Sequence, residues 1–83
     1  MNYEIEFNSQ PKKFIKKLQK DIALRILNKF EEVSKNPFRY LEHYEGENCF
    51  KLRVGVYRAL IDVDFAGKKL IIRVIDKRGR IYR

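Results

Sequence analysis

From Met1 to Phe7 apolar and polar residues alternate, with Tyr3, Ile5 and Phe7 on one side and Asn2, Glu4 and Glu6 on the other. A period of two is that of a half-buried β-strand. The period then lengthens. Phe14, Ile15 and Leu18 share one helical stripe, and Lys12, Lys13, Lys16, Lys17 and Lys20 take the opposite face, which predicts a helix over 12–20. Ser9 is placed to cap that helix, with Pro11 near its first turn. Ile22, Ile26, Leu27, Phe30 and Val33 repeat at helical spacing and predict a second helix, capped by Asp21 and stopped at Asn36-Pro37. Two helices joined by a tight turn make an αα-hairpin.

After Pro37 the period returns to two. Phe38 to Tyr44 leads into a polar turn over Glu45 to Asn48. Phe50, Leu52 and Val54 then alternate with polar residues until Gly55 breaks the run. Tyr57, Ala59, Ile61, Val63 and Phe65 form a second alternating set, Ala66-Gly67 a hairpin turn, and Leu70, Ile72 and Val74 a third set. Asp76 to Arg83 reads as a short, extended basic tail. Short turns between late strands imply an antiparallel meander. The predicted fold class is α+β: an N-terminal strand, an αα-hairpin, then an antiparallel β-meander, in two layers with the helices on one sheet face. The first strand is expected to join the same sheet.

The chain has 83 residues, a length for one domain spanning 1–83. Its longest stretch without a charge is Phe7 to Pro11, against about 20 apolar residues for a bilayer span, so no membrane segment is expected. Glu4 and Glu6 in the first strand argue against a secretory signal. A single cysteine, Cys49, fits a reducing, cytoplasmic setting. One histidine, His43, and one cysteine do not make a zinc site, and there is no glycine-rich phosphate loop, so no metal or cofactor is expected.

Charge changes the picture more than composition does. The chain carries 19 Lys and Arg against 11 Asp and Glu, net +8. Residues 1–50 hold nine basic and eight acidic groups, whereas residues 51–83 hold ten basic and three acidic, net +7. Period-two parity turns Lys51, Arg53, Arg58 and Arg73 away from the apolar sets, onto the sheet face without helices. Arg78, Arg80 and Tyr82 share one side of an extended tail. A cationic face edged by an aromatic suits RNA, whose phosphates need countercharge and whose bases stack. A solvated sheet face carries polar residues in any case, but that does not explain an excess of ten cations over three acids. Asp62 and Asp64 share a strand face and read most simply as partners for neighbouring cations. With one isolated histidine in a loop-like stretch, RNA cleavage would need other acid–base groups. Lysine can serve where crowded cations lower its pKa, and arginine can stabilise a phosphorane. Such a site would depend on something else to hold the ribose hydroxyl in line.

The run Phe50-Lys51-Leu52-Arg53-Val54-Gly55-Val56-Tyr57-Arg58 resembles the "K-L-R…G-x-Y-R" strand pair of the RelE/ParE toxin superfamily. The ending Asp76-Lys77-Arg78-Gly79-Arg80-Ile81-Tyr82-Arg83 is similar to its terminal basic and tyrosine motif, and the opening strand, lysine-rich hairpin and Asn36-Pro37-Phe38 match in order and spacing. The chain looks most like a RelE-type mRNA interferase. That resemblance implies a cytoplasmic toxin of a type II toxin–antitoxin system: a metal-independent, ribosome-dependent endoribonuclease that cuts the mRNA codon in the A site and so inhibits translation.

In that scheme the ribose 2′-hydroxyl attacks the adjacent phosphate. Lys51 matches a catalytic lysine and is the candidate base. Arg58 would stabilise the transition state, Arg78 would act on the scissile phosphate or leaving oxygen, and Tyr82 would stack on the cleaved nucleotide. Arg53, Arg73 and Arg80 are further RNA contacts. Cys49 stands where RelE-type sites often have a second lysine, and the terminal motif has no histidine. The resemblance also implies a RelB-type antitoxin partner, with the ribosome and mRNA as targets. A ParE-like inhibitor of DNA gyrase and a noncatalytic RNA-gripping module are the alternative functions.

Overall fold

A computed structural model describes residues 2–46 and 48–77. The elements run β1 (Glu4–Phe7), α1 (Ser9–Lys17), α2 (Lys20–Lys35), α3 (Pro37–Tyr40), β2 (Glu42–Glu45), β3 (Cys49–Val54), β4 (Tyr57–Asp64) and β5 (Lys69–Lys77). The helical hairpin is present with shifted ends. Asn8, not Ser9, is the N-cap of α1, and it makes no side-chain cap bond. The first helix stops at Lys17, where the Leu18 N–H turns back to the Ile15 carbonyl at 3.1 Å. Gln19 precedes α2, so Asp21 lies within its first turn. There a carboxylate is favoured by the helix dipole rather than by a capping bond. Pro37 ends α2 as expected and also opens the one-turn α3, since its fixed φ suits the first helical position.

The sheet order is β1-β5-β4-β3-β2. Strands β2 to β5 form the antiparallel meander, and β1 joins the sheet parallel to β5, with Glu4 opposite Lys69 and Phe7 opposite Ile72. A parallel pair needs a long crossover, and the intervening helices are part of it. Ile26, Phe30 and Val33 of α2 pack on Leu52, Val54, Ala59, Ile61, Val63, Leu70, Ile72 and Ile75 of the sheet, with Phe14, Ile15 and Leu18 at the margin. Gly55-Val56 joins β3 to β4, with Val54 opposite Tyr57. The positive φ of Gly55, 60°, is the one the primed hairpin turns need and a side chain resists. The next turn spans 65–68, and the Asp64 carboxylate accepts the Gly67 N–H at 2.9 Å. A Cβ on Gly67 would lie 2.5 Å from that carboxylate.

Three expectations from periodicity are corrected. Val74 does not face the helices. Leu60 pairs with Val74 while Ile61 pairs with Ile72, so Arg73 is an extra residue in β5. Such a bulge reverses the phase of the strand beyond it: Ile75 takes the core position at 1% exposure, and Val74 lies opposite Leu60 on the other face. Phe65 falls in the turn and is 40% exposed. His43 lies on strand β2 opposite Phe50, not in a loop.

Beyond the end of β1 the β5 edge is covered by a side chain. The Gln10 amide donates to the Ile75 carbonyl at 2.8 Å and accepts the Ile75 N–H at 2.9 Å, continuing the ladder as a strand would. Gln10→Glu would keep the acceptor and lose the donor, placing a carboxylate against a carbonyl. That variant and Gln10→Ala are each expected to lower stability by about 1–2 kcal/mol, the scale of an interior polar group losing its partner. Urea denaturation measures it.

Candidate nucleic-acid interface

The register of β3 on β4 sets Arg53 opposite Arg58 and Lys51 opposite Leu60. These three cations therefore share the face turned away from the helices. Like charges directly opposed across a ladder are destabilising, and the tight Gly55 turn leaves Arg53 and Arg58 no other register. A cleft of about 340 Å³ opens here, lined by Lys29, Arg39, Tyr40, Glu42, Lys51, Leu52, Arg53 and Arg58. The fold thus gathers five cations from α2, α3, β3 and β4, with the Glu42 carboxylate in the lining.

Each is held differently. The Lys51 ammonium is 3.7 Å from the Glu42 carboxylate across the β2–β3 ladder. Both side chains are open to solvent, so this pair adds little stability and yields easily to a competing anion. Arg58 is only 9% exposed, and its guanidinium donates to the Tyr57 carbonyl at 3.3 Å. A cation already stripped of water acts on an incoming anion through a lower dielectric than a surface lysine does. Its cross-strand neighbour on β5 is Asp76.

Lys29, Arg39 and Tyr40 were not among the sequence candidates. The Lys29 ammonium sits 4.5 Å from the Tyr40 ring centroid and the Arg39 guanidinium carbon 5.9 Å. Lys29 also pairs with Glu32 at 3.2 Å. The Tyr40 hydroxyl bonds to the Glu32 carboxylate, and with help from Lys29 this holds Glu32 below the usual carboxylate range and pushes the Tyr40 phenol up. A depressed carboxyl pKa gives stability that is present above the ordinary carboxylate pKa and is lost as pH falls through the folded value. Tyr40→Phe is expected to move the Glu32 titration upward toward its ordinary value, followed by NMR of the side-chain carboxyl. The sequence signal for these residues was weak: a lysine on α2 and an Arg-Tyr pair after a proline join the strands only through packing.

Arg73 lies apart from this cleft. Its guanidinium reaches Asp62 at 3.5 Å and the Cys49 sulfur at 3.6 Å. Cys49 and Asp62 line a second, shallower concavity with Asp64 and Ile71. Asp62 is thus a partner for a cation, and Asp64 a turn residue. Arg78, Arg80 and Tyr82 lie outside the described residues. Among the described residues no three His, Cys, Asp or Glu side chains cluster as a metal site, and no helix is long and apolar enough to cross a membrane.

Residues 5–82 match the family model described as the ParE toxin of type II toxin–antitoxin systems. The chain belongs to that family. It lies in the RelE/ParE superfamily and is a toxin of the type II toxin–antitoxin class. Solved structures share its fold. The RelBE2 toxin–antitoxin complex of Mycobacterium tuberculosis is 25% identical over 94% of this chain and 100% of that one, with a TM-score of 0.82. The archaeal RelE–RelB complex of Pyrococcus horikoshii is 24% identical over 96% and 99%, at 0.84. The RelB–RelE complex of Methanococcus jannaschii is 28% identical over 93% and 94%, at 0.70. A comparison with curated protein sequences finds no match.

Proposed function

We propose that this toxin is a ribosome-dependent endoribonuclease that cuts mRNA in the ribosomal A site. The observation that carries the reading is the cleft itself: Lys29, Arg39, Lys51, Arg53 and Arg58 line one space, with Glu42 beside Lys51 and Glu32 beside Lys29. Three cations from the sheet joined by two from the helices are more than a solvated sheet face needs, and they match the phosphates of a single RNA strand.

In the proposed reaction the ribose 2′-oxygen attacks the adjacent phosphorus. A new O–P bond forms, the bond to the 5′-oxygen breaks, and the products are a cyclic 2′,3′-phosphate and a 5′-hydroxyl. Lys51, as the neutral amine, accepts the proton from the 2′-hydroxyl. Arg58 stabilises charge on the phosphorane oxygens from its desolvated position. Arg78 neutralises the leaving oxygen, which takes a proton from water, and Tyr82 stacks on the cleaved nucleotide. Arg53 and Arg80 hold flanking phosphates. Arg73, tied to Asp62, serves as a more distant backbone contact. Among the described residues that line the cleft none forces a 2′-hydroxyl in line, so in this reading the ribosome supplies that geometry.

The solved relatives named above are toxin–antitoxin complexes. By extension this chain pairs with a RelB-type antitoxin whose acidic residues neutralise the cationic face. A ParE-like action on DNA gyrase is the second reading, favoured by the family model the chain matches. Primer extension on a defined mRNA, with and without programmed ribosomes, separates them. Cuts confined to A-site codons and absent from free mRNA establish the endoribonuclease. Absence of cuts in both conditions, with loss of gyrase supercoiling on adding the protein, establishes the alternative.

A further inference from the structure

The cationic cleft does not end at its own wall. Lys29 and Arg53, which line it, also line a second concavity of about 410 Å³ together with Arg25, Asn28, Glu32, Val54 and Gly55. The end of the β3–β4 hairpin makes one side of this groove and α2 the other. Arg25, Asn28, Lys29 and Glu32 follow one another at spacings of three and four, hence on one face of α2, beside the core stripe of Ile26, Phe30 and Val33. At about 1.5 Å per residue that face runs along about 10 Å of helix axis. The Arg25 guanidinium reaches the hairpin turn, since a Cβ on Gly55 would lie 3.9 Å from its Nη1. Charge in the groove is one-sided. The ion pairs among the described residues include neither Arg25 nor Arg53. The one carboxylate in the lining, Glu32, is already engaged by the Lys29 ammonium and the Tyr40 hydroxyl.

We propose that this groove holds the backbone of the RNA strand flanking the nucleotide in the cleft, with Arg25 on a phosphate and the Asn28 amide on a phosphate or ribose oxygen. Three observations select an RNA strand over a protein segment. The groove and the cleft share Lys29 and Arg53, so a strand leaving the cleft enters the groove without leaving the protein surface. The polar groups it offers beside the engaged Glu32 are donors, two guanidiniums, an ammonium and an amide, as phosphate and ribose oxygens require. It also lacks the apolar pocket in which a docked protein segment anchors. Its apolar side chain, Val54, is 8% exposed and belongs to the core. The inference rests on RNA being what the cleft holds.

The test uses the full chain and two oligomers of 2′-O-methyl RNA, a trinucleotide and a nonanucleotide, which lack the attacking hydroxyl and so stay intact. Affinities are measured over a series of salt concentrations. Arg25→Ala, on an exposed helix position, is expected to lower the slope of log K against log salt for the nonanucleotide by about 0.7, the share of one single-strand phosphate contact. It should leave the trinucleotide unchanged. Lys51→Ala, the control in the cleft, is expected to lower both slopes by that amount. The Asn28 side-chain amide, followed by NMR, should shift with the nonanucleotide and stay still with the trinucleotide. If Arg25→Ala has no effect on the nonanucleotide, or an equal effect on both lengths, while Lys51→Ala weakens both, the groove is overturned and the cleft reading stands. An Asn28 amide that the nonanucleotide leaves unmoved overturns it as well. An oligoglutamate of equal charge that binds as tightly, with the same loss on Arg25→Ala, would make the groove a general face for acidic chains and also overturns the proposal. If neither oligomer binds, the groove and the cleft reading fall together.

Discussion

Lys51→Ala is expected to slow A-site mRNA cleavage by about 10²–10⁴-fold, the range for removing a positioned acid–base group. Arg58→Ala is expected to cost about 10²–10³-fold, the range for one preorganised donor at developing charge. Ribosome binding should change only a few-fold in either case. Arg58→Lys should not restore the rate. A lysine cannot present two donors in one plane, and at 9% exposure it would bury a more strongly hydrated ion. Single-turnover cleavage on programmed ribosomes, read beside a ribosome pelleting assay, separates rate from affinity. If instead every cation in the cleft contributed a small, similar loss of binding and no specific loss of rate, the face would be a grip and not a catalyst.

Phe30→Ala is expected to remove a large share of the stability. Phe30 is 1% exposed, lies at the centre of the helix–sheet core and sets its ring 5.9 Å from that of Phe7. Truncating such a residue costs about 3–5 kcal/mol, as transfer energy and cavity together. At roughly 0.05–0.15 kcal/mol per residue, a chain this size is stable by only about 4–12 kcal/mol. Urea denaturation should show a large fall in midpoint, while Lys16→Ala on the exposed helix face stays within about 0.5 kcal/mol of wild type. A small effect of Phe30→Ala would mean that the helices are not held by this core.

The parts of the fold that were legible are those with a local cause. Alternation at Phe50, Leu52, Val54 and at Ala59, Ile61, Val63 marks β3 and β4, because one face of each is buried and the other wet. The helical stripe through Ile26, Phe30 and Val33 marks α2 for the same reason. The parts that were not legible have causes spread over two or more elements. The bulge at Arg73 exists only in the pairing of β4 with β5, so a single-strand pattern assigned Val74 to the wrong face. Gln10 looks like any polar helix residue until Ile75, 65 positions away, is beside it. Lys51, Arg53 and Arg58 could be grouped by parity and turn length. Lys29, Arg39 and Tyr40 could not, because no sequence period links a helix to the strand it crosses. Pro37 was read as a stop signal, although the geometry that ends one helix also starts another.

The place of β5 bears on how the toxin comes into being. It lies between β1 and β4, yet it is the last of the described elements to be synthesised. Until it emerges, β1 has no partner, Gln10 has no edge to close, and the helices lack Leu70, Ile72 and Ile75 to pack against. At about 5–20 residues per second, the chain spends several seconds as helices and hairpins without a completed core. The nascent chain therefore lacks its finished sheet, and proteolysis of arrested nascent chains extended at the C-terminus should show protection arising only once residue 77 is clear of the exit. Its fold is completed late, by the closing of one central strand.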